Sequence, residues 1–127
     1  MLTNFLLLIA ALLLGVMLVP LGLLCTLCFC VFRLSPYQAL DYLNRLAGSL
    51  ALSIDLLGNV ICGDLFNTYL RKTGGYSFGR YNQTISAVLG HNKALGTLTD
   101  LGRMLANLLN FIDEEHVENA TKSHHQL

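Results

Sequence analysis

The sequence predicts an all-α membrane protein, with one N-terminal transmembrane helix followed by a small helical domain built from amphipathic helices. Three observations carry this. The chain runs to its first ionisable side chain, Arg33, through an almost wholly apolar segment. Apolar residues make up 54% of the 127 residues and charged residues 13%, where a soluble domain carries about 25% charged residues. Beyond Arg33 the apolar positions recur mostly at helical spacing rather than alternating. With a mean hydropathy of +0.54, so little charge could not cover a soluble monomer. The leucine content excludes disorder, and the lack of a sustained heptad or a Gly-X-Y period excludes a coiled coil and collagen. Formal net charge is zero, so no broad polyanion-binding surface and no nucleic-acid partner are implied.

The anchor is expected over residues 1–34. From Phe5 to Phe32 a continuous helix would be roughly 42 Å long against a hydrocarbon core of about 30 Å, which fits one tilted span and not two. A cleaved signal is the nearest competitor. Met1-Leu2-Thr3-Asn4 carries no basic side chain, and the bulky Leu24 before Cys25 is unsuited to a lipid-modified cleavage site, so the segment is expected to stay. Pro20 removes one helical hydrogen bond and predicts a kink near Val16–Pro20. Gly15 and Gly22, seven apart on one face, would let another helix approach, giving a protein partner or a homo-oligomer through the membrane helix. Cys25 and Cys28 have CxxC spacing, but thiols in hydrocarbon resist the ionisation that metal ligation requires. With Cys62 far along the chain, Cys25, Cys28 and Cys30 read as apolar filler and fit a reducing compartment.

The helical domain is expected over residues 35–116. Ser35-Pro36-Tyr37-Gln38 is a helix start: Ser35 caps, Pro36 fills the first turn and Gln38 closes a capping box. Tyr37, Leu40, Leu43, Leu46 and Ala47 then draw an apolar face suited either to the membrane interface or to packing on the domain. Gly48 is expected to mark a bend. The segment Leu50–Ile61 is short for a span and carries Asp55 at its centre, so it reads as a core or interfacial helix with Asp55 outside the hydrocarbon centre. Asp55, Asn59 and Asp64 are the side chains there able to anchor a buried polar contact, and none has a cation at i+4. Phe66–Leu70 ends that helix, with Arg71 and Lys72 at its negative end and Gly74-Gly75 stopping it. The Gly pair lacks the GxxxxGK[ST] pattern, so no nucleotide site is implied. Tyr76 and Phe78 suggest a short extended piece or ordered loop.

Thr84 is expected to cap a short helix ended by Gly90. Thr97 and Asp100 form a second capping-box pattern before the apolar stripe Leu98, Leu101, Met104, Leu105, Leu108, Leu109 and Ile112. Residues 117–127 lack apolar periodicity and read as a flexible tail. Asp113 and His116 could reach one metal from a helix, with Glu118 or His91 completing the set. Acidic residues beside a histidine are more commonly a solvated helix end, so no metal, catalytic or cofactor-binding residue is assigned. His124-His125 carries no functional meaning. Asn82-Gln83-Thr84 and Asn119-Ala120-Thr121 match the glycosylation acceptor pattern, which matters only in a secretory lumen.

The runs Gly74-Gly75-Tyr76-Ser77-Phe78-Gly79, Thr84-Ile85-Ser86-Ala87-Val88-Leu89-Gly90 and Gly96-Thr97-Leu98-Thr99, with the helix ending Ile112-Asp113-Glu114-Glu115-His116, resemble a group of small uncharacterised membrane proteins of bacteria and tailed phages. The resemblance covers about residues 59–116 and rests on turn glycines, caps and apolar positions. It implies a phage or prophage origin and a compact structural module, with no catalytic assignment. The expected role is a non-enzymatic, membrane-anchored structural or assembly protein without a cofactor. Its place is the bacterial inner membrane or the membrane of a membrane-containing virion. Arg33 and Arg45 against Asp41 after the span place the bulk of the chain in the cytoplasm. A membrane-permeabilising or lysis-associated protein and a metal-dependent membrane enzyme are the alternatives.

Overall fold

The structure is a computed structural model describing residues 2–124. Its elements are α1 (Leu2–Arg33), α2 (Pro36–Ile61), α3 (Gly63–Tyr69), α4 (Ile85–Ala94), α5 (Asp100–Ile112) and α6 (His116–His124). There is no strand among the described residues, only an isolated antiparallel bridge between Arg71 and Leu98. The fold is all-α, with one N-terminal apolar helix long enough to span a membrane and a small helical bundle after it. Two compact units divide within α2, at Ala47 and Gly48.

In the first unit, α1 is a single helix that includes Pro20, and its most apolar stretch is not buried at all. A helix apolar on every side, with nothing packed around its most apolar stretch, is suited to an apolar solvent, which gives α1 the character of a membrane helix. The start of α2 follows the capping-box expectation. Gln38 N donates to Ser35 Oγ at 3.5 Å, and Ser35 N donates to Gln38 Oε1 at 3.1 Å. Phe29 and Tyr42 meet with ring centroids 5.8 Å apart, beside the buried Cys30. The apolar face formed by Tyr37, Leu40 and Leu43 stays exposed. Helix α2 then continues through Gly48 to Ile61. A lone glycine costs a helix only about 1 kcal/mol, which the flanking turns absorb.

In the second unit the core is Leu70, Phe78, Val88, Leu89, Leu98, Ala106 and Val117, with Phe66, Tyr76, Ile85, Leu105 and Leu109 against it. Helix α4 is its centre. Ser86 through Gly90 are all buried, so this helix shows little amphipathicity, as expected of one enclosed on every side. Thr84 caps it, accepting from Ala87 N at 3.0 Å. Gly90 does not end it, because α4 runs on to Ala94. The glycine serves close approach instead: a Cβ there would collide with the Val117 carbonyl and the Thr121 hydroxyl of α6.

The C-terminal expectation is also corrected. Residues 117–124 belong to α6, and Val117 is 0% exposed; residues 125–127, including His125, lie outside the described residues. The sequence of α6 lacks a periodic stripe because its buried contacts are one valine and the small groups around Gly90. Its first turn is capped from α5, where Asn110 Oδ1 accepts from Val117 N at 3.0 Å. The α5 cap is Thr99 rather than Thr97, accepting from Gly102 N at 3.1 Å and donating to Tyr69 O at 2.7 Å. Thr97 donates to Asn92 Oδ1 instead, at 2.7 Å. Gly102 must be glycine because the Leu70 carbonyl lies where its Cβ would be.

Two substitutions measure the α4–α6 packing. Gly90→Ala is expected to cost about 1–3 kcal/mol, as overpacking does, with faster amide hydrogen exchange over residues 117–122. Leu89→Ala should cost about 2–5 kcal/mol and speed exchange across the whole second unit. Unchanged protection in α6 of the Gly90→Ala protein would contradict the close approach.

Candidate functional site

The second unit carries an open, almost wholly apolar trough of about 680 Å³. One wall is the C-terminal half of α2, through Ala51, Ile54 and Gly58. The other is α5, through Leu105 and Leu109, with Ile85 and Ser86 of α4 between them. Asp55 and His116 are the ionisable carboxylate and imidazole at its edge.

Asp55 is engaged with the protein on both oxygens. Oδ1 accepts from Ile85 N at 2.8 Å and Oδ2 from Ser86 Oγ at 2.7 Å. The first of these satisfies an amide that has no partner within its own helix, and it places a carboxylate at the positive end of the α4 dipole. Asp55 therefore caps α4 from another helix, completing what Thr84 begins. His116 Nδ1 lies 2.9 Å from Asp113 Oδ2, a pairing within the turn that leads into α6.

Three asparagines hold the loop between α3 and α4. Asn59 Nδ2 donates to Arg80 O at 2.9 Å and Gln83 O at 2.8 Å, and its Oδ1 accepts from Gly79 N at 3.2 Å. Asn67 exchanges both backbone hydrogen bonds with Phe78, at 3.1 and 2.9 Å. Asn92 does the same with Tyr76, at 2.7 and 2.8 Å. An amide offers a donor and an acceptor in one plane, so it can replace a missing strand partner for a loop backbone. The stretch expected to be extended or an ordered loop is a loop, with Phe78 buried in the core and Tyr76 stacked on His91 at 4.6 Å. Arg80 lies 5.3 Å from the centre of the Tyr76 ring.

Of the metal set considered from the sequence, Asp113 and His116 are paired with each other, while Glu118 and His91 are engaged elsewhere. Glu118 accepts from Lys93 Nζ and from Asn110 Nδ2, at 2.5 and 2.8 Å, and His91 lies against Tyr76. Among the described residues no group of three or more His, Cys, Asp or Glu side chains could hold a metal. Cys25 and Cys28 are exposed on α1, and Cys62 borders the trough. Of the three proposed polar anchors, Asp55 and Asn59 act as such, while Asp64 is exposed in the first turn of α3. Asn92, Asn67 and Asn110 were not legible as anchors, since a lone asparagine in a helix has no pattern to mark it. The trough leaves no mark in sequence order because its lining comes from five separate helices. No known protein family, curated protein or solved structure matches the chain.

Chemically, the trough offers hydrocarbon contact and little hydrogen bonding. Replacing Asp55 by Ala should cost about 1.5–3 kcal/mol, the range for hydrogen bonds to a charged group, and should speed amide exchange at the start of α4. Asp55→Asn keeps one acceptor and should lose less.

A second prediction concerns acid. The hydrogen bond from Lys93 is the main cause holding the Glu118 carboxyl below its ordinary range, opposed by partial desolvation and aided by Asn110. A carboxyl with a lowered folded-state pKa stabilises the fold above its unfolded-state value, and that contribution is lost as pH falls through the folded-state value. Docking of α6 is therefore expected to weaken only below the usual glutamate range. The two side chains are 39% and 35% exposed, so solvent screening keeps the effect under about 1 kcal/mol. Glu118→Gln should flatten this acid dependence in an exchange experiment carried from neutral pH to below that range.

Proposed function

We propose that the chain is a non-enzymatic, membrane-anchored assembly protein: α1 fixes it in a bilayer and associates with a second membrane helix, while the helical unit forms a preorganised head. The observation that carries this reading is α1 itself, a helix apolar on all sides whose exposed surface calls for lipid and helix partners. A Cβ at Gly15 or Gly22 would have open space around it, so the face that these glycines share is available to another helix, and close approach there is what packs helices in lipid. The head supports the same role. Its loop is fixed by three asparagines rather than left mobile, which lowers the ordering cost of an encounter.

A bacterial inner membrane or a virion membrane, with the head in the cytoplasm, fits the basic residues Arg33 and Arg45 that follow the span. The phage or prophage source belongs to the same reading and is supported by the resemblance over residues 59–116.

The test is chemical crosslinking of the full chain in host membranes, followed by sizing of the crosslinked species. A discrete homo-oligomer, or one adduct with a single membrane protein, is expected. It should weaken several-fold when Gly15 and Gly22 are both changed to Ile. A chain that stays monomeric at every crosslinker dose overturns the assembly role. Rapid loss of membrane potential on expression would favour the membrane-permeabilising alternative instead.

A further inference from the structure

The second unit leaves apolar side chains exposed on both sides of its trough. On α2 they are Leu50, Ile54, Leu57 and Ile61, spaced four, three and four residues apart; on α5 they include Met104, Leu108, Phe111 and Ile112. Their exposure is high, 72% at Ile61 and 87% at Phe111. A helix as strongly amphipathic as α5 ordinarily turns its apolar stripe into a core. Here only Ala106 and the partly buried Leu105 and Leu109 face inward, and the rest of the stripe is uncovered.

We propose that the trough and these two stripes form a lipid-docking face, which rests in the interfacial region of the bilayer that α1 crosses and takes acyl chains into the trough. The inference rests on α1 crossing a membrane, and three features select lipid over a protein partner. The first is covalent. Fourteen residues, 34–47, separate the end of α1 from the second unit, so even a fully extended connection of about 50 Å holds the unit within reach of the leaflet. The second is chemical. Both Asp55 oxygens are taken by Ile85 and Ser86, and Nδ1 of His116 by Asp113, so apart from the second ring nitrogen of His116, at the edge, the trough asks for little hydrogen bonding that hydrocarbon would leave unmade. The third is compositional. Helix α2 and α3 together are apolar enough to pass as a bent membrane segment, with a 75° break between them. The capped Asp55 keeps the α2 half out of the hydrocarbon centre but not out of the interface.

The chain contains no tryptophan, so a single introduced indole reports its own surroundings. The full chain is reconstituted in phosphatidylcholine vesicles carrying either Val16→Trp in α1 or Phe111→Trp on the exposed stripe of α5. Emission is compared between ordinary lipids and two brominated sets, one carrying bromine near the methyl end of the acyl chain, which reports on position 16, and one near its headgroup end, which reports on position 111. An interfacial helix buries its apolar face about 5–10 Å deep, so roughly two-fold quenching and a blue shift are expected at position 111. Adding Leu108→Asp and Ile112→Asp should abolish both effects. These side chains are exposed, so the charges cost the unit little packing, and retained amide protection in α4 would verify that it stays folded.

Quenching at position 16 but not at 111 overturns the docking face while leaving the anchor intact. Absence of quenching at both positions overturns the anchor and the inference with it. A blue shift at 111 that is insensitive to bromine and disappears on dilution with lipid means that a second copy covers the face, and it also overturns the proposal.

Discussion

The carboxylate of Asp55 on the first turn of α4 is the contact through which α2 belongs to the second unit. Most of the apolar side chains on that half of α2 face outward, at Ile54, Leu57, Val60 and Ile61, so little hydrophobic burial holds the helix in place. Attachment falls to polar groups. Asp55 satisfies α4, and Asn59, one turn further on, satisfies the loop through Gly79, Arg80 and Gln83. Asn59 is 0% exposed. Because these bonds leave Asp55 and Asn59 without unmet polar demand, the wall of α2 that they hold can border an apolar trough.

The same economy governs the rest of the unit. The chain has few large aliphatic groups to spare for the core, since most of its leucines lie in α1 or on exposed faces. It compensates by bringing backbones together at Gly90 and Gly102 and by using side-chain amides to replace strand partners. Close backbone approach gains dispersion contact without bulk. Amide pairing makes a loop without secondary structure as well satisfied as a strand.

Legibility in the sequence follows from this division. The anchor, the capping box at Ser35 and Gln38, the Thr84 cap and the α5 stripe each have a local signature, and each lies where that signature puts it. Where the sequence misleads, a residue type serves a tertiary purpose that resembles a local one. Gly90 looks like a helix stop and is a contact surface, while Thr97 looks like a cap and instead binds Asn92. Helix α6 was invisible because its stability comes from Asn110 and from the cleft over Gly90 rather than from its own pattern. The trough was half legible: Asp55 stood out as a misplaced charge, but its partner, an amide 30 residues away, leaves no trace in sequence order.

The antiparallel bridge between Arg71 and Leu98 has a consequence for the order in which the chain assembles. Lys72 N donates to Thr97 O and Thr99 N donates to Leu70 O, at 2.7 and 3.1 Å, so the segment between these pairs is a closed loop containing the whole of α4. Closing a loop of this size is inexpensive in chain entropy. The loop carries Tyr76, Asn92 and Thr97 as its own internal fastenings, so the bonds that hold it closed come from within it and not from α5 or α6. Thr99 then starts α5 at the point of closure, and α6 arrives last to shut Val117 over Gly90. Ala106 of α5 and Val117 of α6 are themselves core residues, so the interior around that loop is complete only when the last helix has docked.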